Sequence, residues 1–273
     1  MSHDDVETLA LELESANEEG KIVGVPPSER PGFDLNKAYE VEARLKQFHE
    51  AGGRRAVGRK VGYANKAMWR VLKLETLVWA HMYEDTVHYS DNNLATLALP
   101  HARSLKVEPE IVFGLKEPVT GERSDAAGAL ASVDWLALGF EIIDCPFPEW
   151  KFQPSDFVAS FGLHAALVIG ERMQLRPDLI AQLADELPRF KVRVSNNGEF
   201  VEEGSGRNSL KSPALCLAEL GAAIAKRFPA QPLIGGEIVS SGTLTAGHPT
   251  ARGDVWTVAV EGISLPSLTL RLI

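Results

Sequence analysis

The sequence predicts an α+β protein in which a helical N-terminal extension precedes a domain built mainly from β-strands. Two observations support this fold class. Apolar residues recur at helical spacing in the first part of the chain. From about residue 55 onward, short apolar and β-branched runs are separated by glycine and proline turns, as in strands. We therefore divide the chain into an extension over residues 1–55 and a second domain over residues 56–273.

The extension is expected to contain two helices. The first is acidic and amphipathic, and the three prolines of VPPSERPGF end it. Its apolar residues are Val6, Leu9, Leu11 and Leu13. The second helix begins at a cap, Asp34 or Asn36, and ends at Gly52 and Gly53. Its apolar face consists of Ala38, Val41, Leu45 and Phe48.

The second domain contains at least four predicted strands: VGRKVGY, VEPEIVFGL, DWLALGFEII and HAALVIG. A helix is expected between Pro213 and Phe228. The C-terminal segment TLTAGHPTARGDVWTVAVEGI is interpreted as a strand, a loop, a turn at Gly253 and Asp254, and a second strand. The chain shows no internal repeat.

Composition excludes several classes of partner. The 273 residues carry a formal net charge of -9, which disfavours binding to nucleic acid or to an anionic membrane. The two cysteines, Cys145 and Cys216, are too few for a disulfide framework. The N-terminus is acidic where a signal peptide would be basic, and no apolar run reaches membrane-spanning length. We expect a cytoplasmic protein that binds neither nucleic acid nor a membrane.

The stretch KVEPEIVFGL contains two carboxylates in a predicted strand. Alternation of side chains along a strand places Glu108 and Glu110 on the same face. Two like charges at adjacent positions repel, and burying either requires a cation or hydrogen-bond donors. The alternative is that this face of the strand is simply exposed to water.

A third carboxylate, Glu141, lies in the middle of the apolar run LALGFEIID. An isolated ion there would be strongly disfavoured, so Glu141 is expected to be paired, protonated or bound to a metal. Three glutamates from two strands would suit a hard divalent cation such as Mg²⁺ or Mn²⁺, which prefers oxygen ligands. The alternative is an internal salt bridge, for which Lys60 is the obvious partner.

Lys60 shares one face of the strand VGRKVGY with Gly58 and Gly62. Glycines on either side allow another group to approach the backbone closely. This pattern favours a lysine that projects into a crowded pocket over one at a solvated strand edge.

Taken together, these motifs resemble the fumarylacetoacetate hydrolase superfamily, and in particular its 2-hydroxypenta-2,4-dienoate hydratase and 4-oxalocrotonate decarboxylase branch. The segments that carry the resemblance are AGGRRAVGRKVGYANKAM, MYEDTV, VEPEIVFGL, LALGFEIID and VSSGTLTAGHPTARGDVWTVAVEGI. It extends from about Leu35 to the C-terminus. The resemblance implies a mixed β-roll fold for residues 56–273, which would form the catalytic domain.

The resemblance also implies roles for individual residues. Glu108, Glu110 and Glu141 match the metal ligands of the family. Lys60 matches a lysine near the substrate, and Asp85 of MYEDTV matches an acidic pocket position that would shuttle a proton or orient water. The implied activity is a metal-dependent lyase, a hydratase acting on a short 2-hydroxy-2,4-dienoate or 2-oxo acid in aromatic catabolism. A homo-oligomer, in possible association with a related pathway enzyme, is also implied.

One segment departs from the family pattern. Where hydratases of this branch carry an Asp-Asn pair before a strand of small residues, this chain has ASFGLHAALVIG. Ser160 and Phe161 replace the pair, and His164 follows. We expect these three residues to shape the pocket beside the metal and to bind the substrate.

Three alternatives to hydration stay open at this stage. The same site could decarboxylate a 2-oxo acid or hydrolyse an acylpyruvate, although His49 and Glu50 point in different directions on a helix and form no water-activating pair. The chain could also be a non-catalytic partner of a related enzyme. The altered segment at Ser160 favours that alternative, whereas the complete set of carboxylates speaks against it.

Overall fold

The structure is a computed structural model that describes residues 3–99, 102–122, 125–227 and 231–273. Within these ranges the α-helices are α1 (His3–Glu18), α2 (Leu35–Ala51), α3 (Lys66–Leu72), α4 (Ala126–Ala131), α5 (Pro154–Ala159), α6 (Ile180–Glu186) and α7 (Pro213–Ala225). The strands of the first half are β1 (Ala56–Gly62), β2 (Val78–Tyr83), β3 (Val87–Tyr89), β4 (Leu94–Leu97), β5 (Leu105–Leu115) and β6 (Val133–Asp144). Those of the second half are β7 (His164–Ile169), β8 (Met173–Gln174), β9 (Lys191–Asn196), β10 (Glu199–Ser205), β11 (Ile238–Ser240), β12 (His248–Pro249), β13 (Val255–Glu261) and β14 (Leu268–Leu272).

The strands form two mixed sheets. The path through the larger sheet is β2-β1-β11-β5-β6-β7-β3, with β12 paired to β5 and β8 paired to β6. Two of its pairs, β1 with β11 and β3 with β7, are parallel, and the other pairs are antiparallel. The smaller sheet has the order β10-β9-β13-β14-β4. This is the mixed arrangement that the sequence predicts for the second domain.

The long strands β5 and β6 lie at the centre of the larger sheet, and both faces of β6 are covered. Its residues from Trp135 to Asp144 are all buried. Such a continuous apolar run is typical of a strand that packs on both sides. The main core joins β5 and β6 to apolar residues of the smaller sheet and of α7, including Phe113, Phe140, Leu217 and Trp256.

The two N-terminal helices pack on each other and on the segment around α5. Asp34 caps α2, because its carboxylate accepts a hydrogen bond of 2.9 Å from the backbone N–H of Lys37. Leu9 and Leu45 belong to the same buried cluster as Phe157. Leu11 was expected in the apolar face of α1, but it is 53% exposed and points away from this cluster.

The four strands predicted between residues 57 and 170 are confirmed as β1, β5, β6 and β7. The strand predicted at the start of TLTAGHPTARGDVWTVAVEGI is limited to the two residues of β12, because residues 243–247 are irregular. There, the N–H of Ala246 donates to Glu202. The predicted helix at 213–228 ends at Ala225, and Phe228 lies outside the described residues.

Among the described residues, no helix combines the length and the apolar character needed to cross a membrane.

Candidate metal centre and active-site cavity

Three carboxylates meet on neighbouring strands of the larger sheet. In the antiparallel pair of β5 and β6, Glu108 lies directly opposite Glu141, and Glu110 lies opposite Gly139. Because side chains alternate along β5, Glu108 and Glu110 face the same side. Each of the three glutamates offers an oxygen within 4.8 Å of the others. Among the described residues, this is the group of acidic, histidine and cysteine side chains that could hold a metal ion.

Burial disfavours the charged forms of two of these carboxylates. Burial raises the pKa of Glu108 to about 7; Lys60 opposes this shift and Glu141 adds to it. Burial also raises the pKa of Glu110 well above its ordinary value, and the charges of Glu141 and Glu108 raise it further. The protein around these two glutamates therefore supplies too little positive charge to stabilise both of them as carboxylates.

The hydrogen bonds of Glu110 leave one of its oxygens free. Its Oε2 accepts a bond from the Ser240 hydroxyl and another, of 2.8 Å, from the backbone N–H of Gly242. Its Oε1 is buried and has no hydrogen-bond partner among the described residues. A buried carboxylate oxygen without a partner is costly unless a cation binds it. The three carboxylates therefore fit an oxygen-preferring divalent cation such as Mg²⁺ or Mn²⁺.

Lys60 lies beside this cluster. The parallel pairing of β1 with β11 places it next to Ser240. Its Nζ is 2.9 Å from Oε2 of Glu141 and donates a bond of 2.9 Å to the carbonyl of Gly162. The ammonium group also lies 4.8 Å from the ring centroid of Phe157. The sequence offered two interpretations of Lys60, a salt bridge to Glu141 and a position in a pocket. The structure shows both, because Lys60 is buried in this salt bridge and also lines the cavity described below.

Glu141 is the best-compensated carboxylate of the three. Burial alone would raise its pKa, but the charge of Lys60 and the hydrogen bond to His164 outweigh burial and lower the pKa. Nδ1 of His164 is 2.8 Å from Oε1 of Glu141, and Nε2 is 3.0 Å from the hydroxyl of Thr86. His164 therefore contacts a candidate metal ligand, Glu141.

A cavity of about 490 Å³ opens next to the cluster. Its apolar wall includes Ile143, Trp150, Phe152, Phe157 and Leu163. Its polar wall includes Lys60, Tyr63, Lys106, Glu108, Glu202 and Thr243. A cavity of this size, with one apolar wall and several polar groups facing it, can hold a small molecule.

Ser160 and Phe161 do not line this cavity. Phe161 stacks on His49, with ring centroids 5.2 Å apart, and lines a second cavity of about 190 Å³ that His164 also borders. Ser160 is buried. Their predicted role in binding the substrate stays a prediction, and these contacts would make the role indirect.

The structure does not bring Asp85 to the candidate site. The strand β2 ends at Tyr83, and the following turn directs Asp85 outward, with 48% of its side chain exposed. Oδ2 of Asp85 is 2.8 Å from Nε of Arg54. The residue of β2 that lies opposite Lys60 is Ala80, so this strand presents no carboxylate at that position. The predicted pocket role of Asp85 is not supported by its position.

Two glycines that complete the site were not singled out from the sequence. Gly162 has φ +61, and a Cβ atom there would lie 2.6 Å from Cδ of Lys60. Gly247 lies against Glu108, where a Cβ atom would come within 2.8 Å of Oε1. They lie in the short stretches FGL and TAGH, but nothing in these stretches shows which side chain each glycine accommodates.

The comparison with protein-family models finds no match. Among curated proteins, the chain is 26% identical over 263 residues to a 2-hydroxyhexa-2,4-dienoate hydratase of Comamonas testosteroni, with 96% of each chain covered. It is 28% identical over 263 residues to a 4-oxalocrotonate decarboxylase of Pseudomonas sp. (strain CF600), again with 96% of each chain covered.

Two solved structures have the same fold. One is a 4-oxalocrotonate decarboxylase from Pseudomonas putida G7 in complex with magnesium and adipate, with a TM-score of 0.89, 24% identity, and 100% of this chain and 99% of that chain covered. The other is a fumarylpyruvate hydrolase from Pseudomonas aeruginosa in complex with Mn²⁺ and pyruvate, with a TM-score of 0.57, 18% identity, and coverage of 80% and 89%. The predicted resemblance, fold and enzyme class, a metal-dependent lyase, are confirmed.

Proposed function

We propose, from the confirmed resemblance of this chain to the hydratase and decarboxylase branch of the fumarylacetoacetate hydrolase superfamily, that it hydrates a short 2-hydroxy-2,4-dienoate in aromatic catabolism. The observation that carries the proposal is the group of three carboxylates, with Lys60 beside it, which reaches the cavity through Glu108 and Lys60. Relatives matched over 96% of this chain and named 2-hydroxyhexa-2,4-dienoate hydratase and 2-keto-4-pentenoate hydratase support it.

The cofactor we propose is Mg²⁺ or Mn²⁺, held by Glu108, Glu110 and Glu141. The free oxygen of Glu110 and the metals named with the solved structures support this choice. When bound, such a cation supplies a Lewis acid that binds a 2-oxo carboxylate and stabilises negative charge on its oxygens.

The residues of the chain itself hold and orient the substrate. Lys60 is a cation fixed by Glu141 and by the carbonyl of Gly162, so it can stabilise negative charge on a substrate oxygen without reorganisation. The apolar wall formed by Trp150, Phe152 and Phe157 suits the hydrocarbon part of a dienoate. Because Asp85 lies outside the cavity, the proton shuttle predicted for it requires another group.

Turnover assays on the purified chain test this function. We expect the chain with Mg²⁺ to consume a 2-hydroxydienoate, seen as loss of dienol absorbance, and to form a hydroxylated 2-oxo acid without releasing CO₂. Glu141→Gln should abolish turnover. Full activity of metal-stripped protein without added cation would overturn the proposal.

Decarboxylation of a 2-oxo acid is the second candidate function. The observation that favours it is the match over the whole chain to the structure named as a 4-oxalocrotonate decarboxylase, with a TM-score of 0.89. Release of CO₂ from an oxalocrotonate-type diacid, measured separately from dienol absorbance, would select it over hydration. An acylpyruvate hydrolase would instead release two acids from one substrate.

A non-catalytic role is disfavoured by the intact carboxylates. A protein kept only as a partner would have no need to retain three mutually repelling glutamates beside a buried lysine. Turnover by the purified chain alone decides this question, since a non-catalytic partner would require a second enzyme.

We further propose that the enzyme is a cytoplasmic homo-oligomer. Both cysteines are buried and unpaired, as is usual in a reducing compartment. Light scattering of the purified chain would give the number of subunits, and co-purification with related pathway enzymes would test association between them. The division at residue 55 also stays a proposal, for limited proteolysis to test.

A further inference from the structure

Glu202 lines the active-site cavity from the smaller sheet, far along the chain from the three carboxylates. It lies on β10, and its Oε2 accepts a hydrogen bond of 3.0 Å from the backbone N–H of Ala246. The same oxygen is 3.0 Å from Nε2 of His248. The described residues place no hydrogen-bond donor on Oε1, so this oxygen is available to a molecule in the cavity.

The ring of His248 is fixed by its surroundings. It stacks on Trp256, with ring centroids 5.7 Å apart and an angle of 22° between the planes. Nε1 of Trp256 in turn donates to the hydroxyl of Thr250 over 2.7 Å. In the pairing of β12 with β5, His248 lies opposite Val107. Nε2 of His248 makes no hydrogen bond among the described residues, so its contact with Oε2 of Glu202 is a close approach whose position the fixed ring determines.

Two consecutive residues, Ala246 and Gly247, connect Glu202 with the carboxylate cluster. Ala246 binds Glu202, and the next residue, Gly247, lies against Oε1 of Glu108. Glu108 and Glu202 both line the cavity and both lie against this short segment. A water molecule at Glu202 would therefore occupy the cavity into which the carboxylate cluster opens through Glu108.

The other titratable groups of the cavity wall are poor proton acceptors. Lys60 is a cation paired with Glu141, and Lys106 is a cation placed 3.9 Å above the ring centroid of Trp150. Burial raises the pKa of Tyr63, so this phenol keeps its proton. Glu108 belongs to the candidate metal ligands. Of the described wall residues, Glu202 is left as a carboxylate with a free oxygen.

We propose that Glu202 is the catalytic base that activates water for the addition, and that His248 is its positioning residue. This inference rests on the proposed hydration. The 2-hydroxydienoate first ketonises to the conjugated 2-oxo acid, losing its hydroxyl proton and gaining a proton at carbon 5. Oε1 then takes one proton from water as the water oxygen bonds to carbon 4 of this 2-oxo acid. The electron pair of the bond between carbons 3 and 4 moves to form the enolate. The proton then passes to carbon 3 and the 2-oxo group re-forms, so that one water molecule has been added.

The test compares Glu202→Gln with a matched control. Glutamine keeps an oxygen for the N–H of Ala246 but cannot accept the proton of water. The formation of hydroxy acid should fall by about 100-fold or more, the usual contribution of general-base catalysis. The binding of Mg²⁺ and of the unreactive 2-oxopentanoate, both measured by calorimetry, should stay unchanged. Glu203→Gln is the control, because Glu203 is exposed on the same strand and pairs with Lys191.

Two further variants separate catalysis from structure. Glu202→Asp should restore part of the rate that Glu202→Gln loses, because it returns a carboxylate. His248→Gln should lower kcat less than Glu202→Gln does, with KM unchanged. If the wild-type chain hydrates a dienoate and Glu202→Gln does so equally fast, this inference is overturned and the hydratase function stands. If the wild-type chain adds no water to any dienoate, the proposed function fails and this inference fails with it.

Discussion

At the scale of single residues, the site depends on how Glu141 is compensated. The side chain is completely buried, and each of its oxygens has one partner, Lys60 on Oε2 and His164 on Oε1. Taking a carboxylate out of water costs several kcal/mol unless an opposite charge and hydrogen bonds replace the water, and here both are present. Burial and the charge of Glu141 raise the pKa values of Glu108 and Glu110, whereas Lys60 and His164 outweigh burial at Glu141 and lower its pKa.

Replacing Lys60 should therefore affect stability as well as catalysis. Lys60 lines the cavity and also forms a buried salt bridge to Glu141, so its removal leaves a buried charge unpaired. Lys60→Met keeps the stem that packs near Phe157 and leaves Glu141 without its cation. We expect loss of turnover and a fall of about 3–5 kcal/mol in the free energy of unfolding without metal.

Mg²⁺ distinguishes the two roles of Lys60. A cation bound by Glu141 replaces the missing charge, so saturating Mg²⁺ should restore much of the stability of Lys60→Met but not its turnover. Chemical denaturation with and without Mg²⁺ measures the first effect. Equal stability of wild-type and variant proteins in metal-free buffer would show that the salt bridge contributes nothing.

The affinity for Mg²⁺ should fall as the pH decreases. Burial raises the pKa of Glu108 to about 7 in the metal-free protein, so this carboxyl group is largely protonated below that pH. A divalent cation binds the deprotonated form, and protons must leave before it can bind. Calorimetry at about pH 6 and about pH 8 should give weaker binding and greater proton release at the lower value. Equal affinity at both pH values would contradict the raised pKa.

At the scale of secondary-structure elements, the sequence predicted the strands but not all of their neighbours. The alternation in KVEPEIVFGL and the apolar run around Glu141 identified β5 and β6, and their direct pairing brings the three carboxylates together. The insertion of β11 between β1 and β5 was not predictable, because it joins segments about 180 residues apart through backbone hydrogen bonds that leave no pattern in side chains.

The sequence also did not show in which direction side chains point at the ends of helices and strands. Asp85 follows β2 in sequence as a pocket residue would, but the turn after Tyr83 sends it to Arg54. The segment at Phe161 was correctly singled out as unusual, yet which of its residues face the large cavity depends on the left-handed backbone at Phe161, Gly162 and Leu163. A tight turn of this kind reverses side-chain directions that simple alternation would assign.

Gly162→Ala tests this turn directly. A left-handed conformation costs alanine about 1–2 kcal/mol, and the new Cβ atom would lie 2.6 Å from Cδ of Lys60. We expect a measurable loss of thermal stability and a larger loss of turnover, since Lys60 must move. Gly24→Ala is the matched control, because nothing lies within 4 Å of a Cβ atom at that position. A Gly162→Ala protein as active as this control would show that Lys60 tolerates displacement.

At the scale of the whole molecule, the N-terminal helices and the active-site segment share one apolar cluster. Leu9 of α1 and Leu45 of α2 belong to it together with Phe157, whose ring faces both Gly62 and the ammonium group of Lys60. The proposed boundary at residue 55 therefore runs through a shared core. The sequence predicted the helices from their spacing, but could not show that their apolar faces pack against the segment that supports Lys60.

Two leucines of α1 test whether the extension stabilises the catalytic part. Leu9 is 1% exposed and Leu11 is 53% exposed on the same helix. Leu9→Ala should lower the free energy of unfolding by about 2–5 kcal/mol, the usual cost of a cavity in a packed core. Leu11→Ala should change it by no more than about 0.5 kcal/mol. If unfolding is cooperative over the whole chain, fluorescence of the tryptophans in the second domain and circular dichroism should report the same lowered midpoint for Leu9→Ala. Two separate transitions, with only the helical signal shifted, would instead show that residues 1–55 unfold independently of the site.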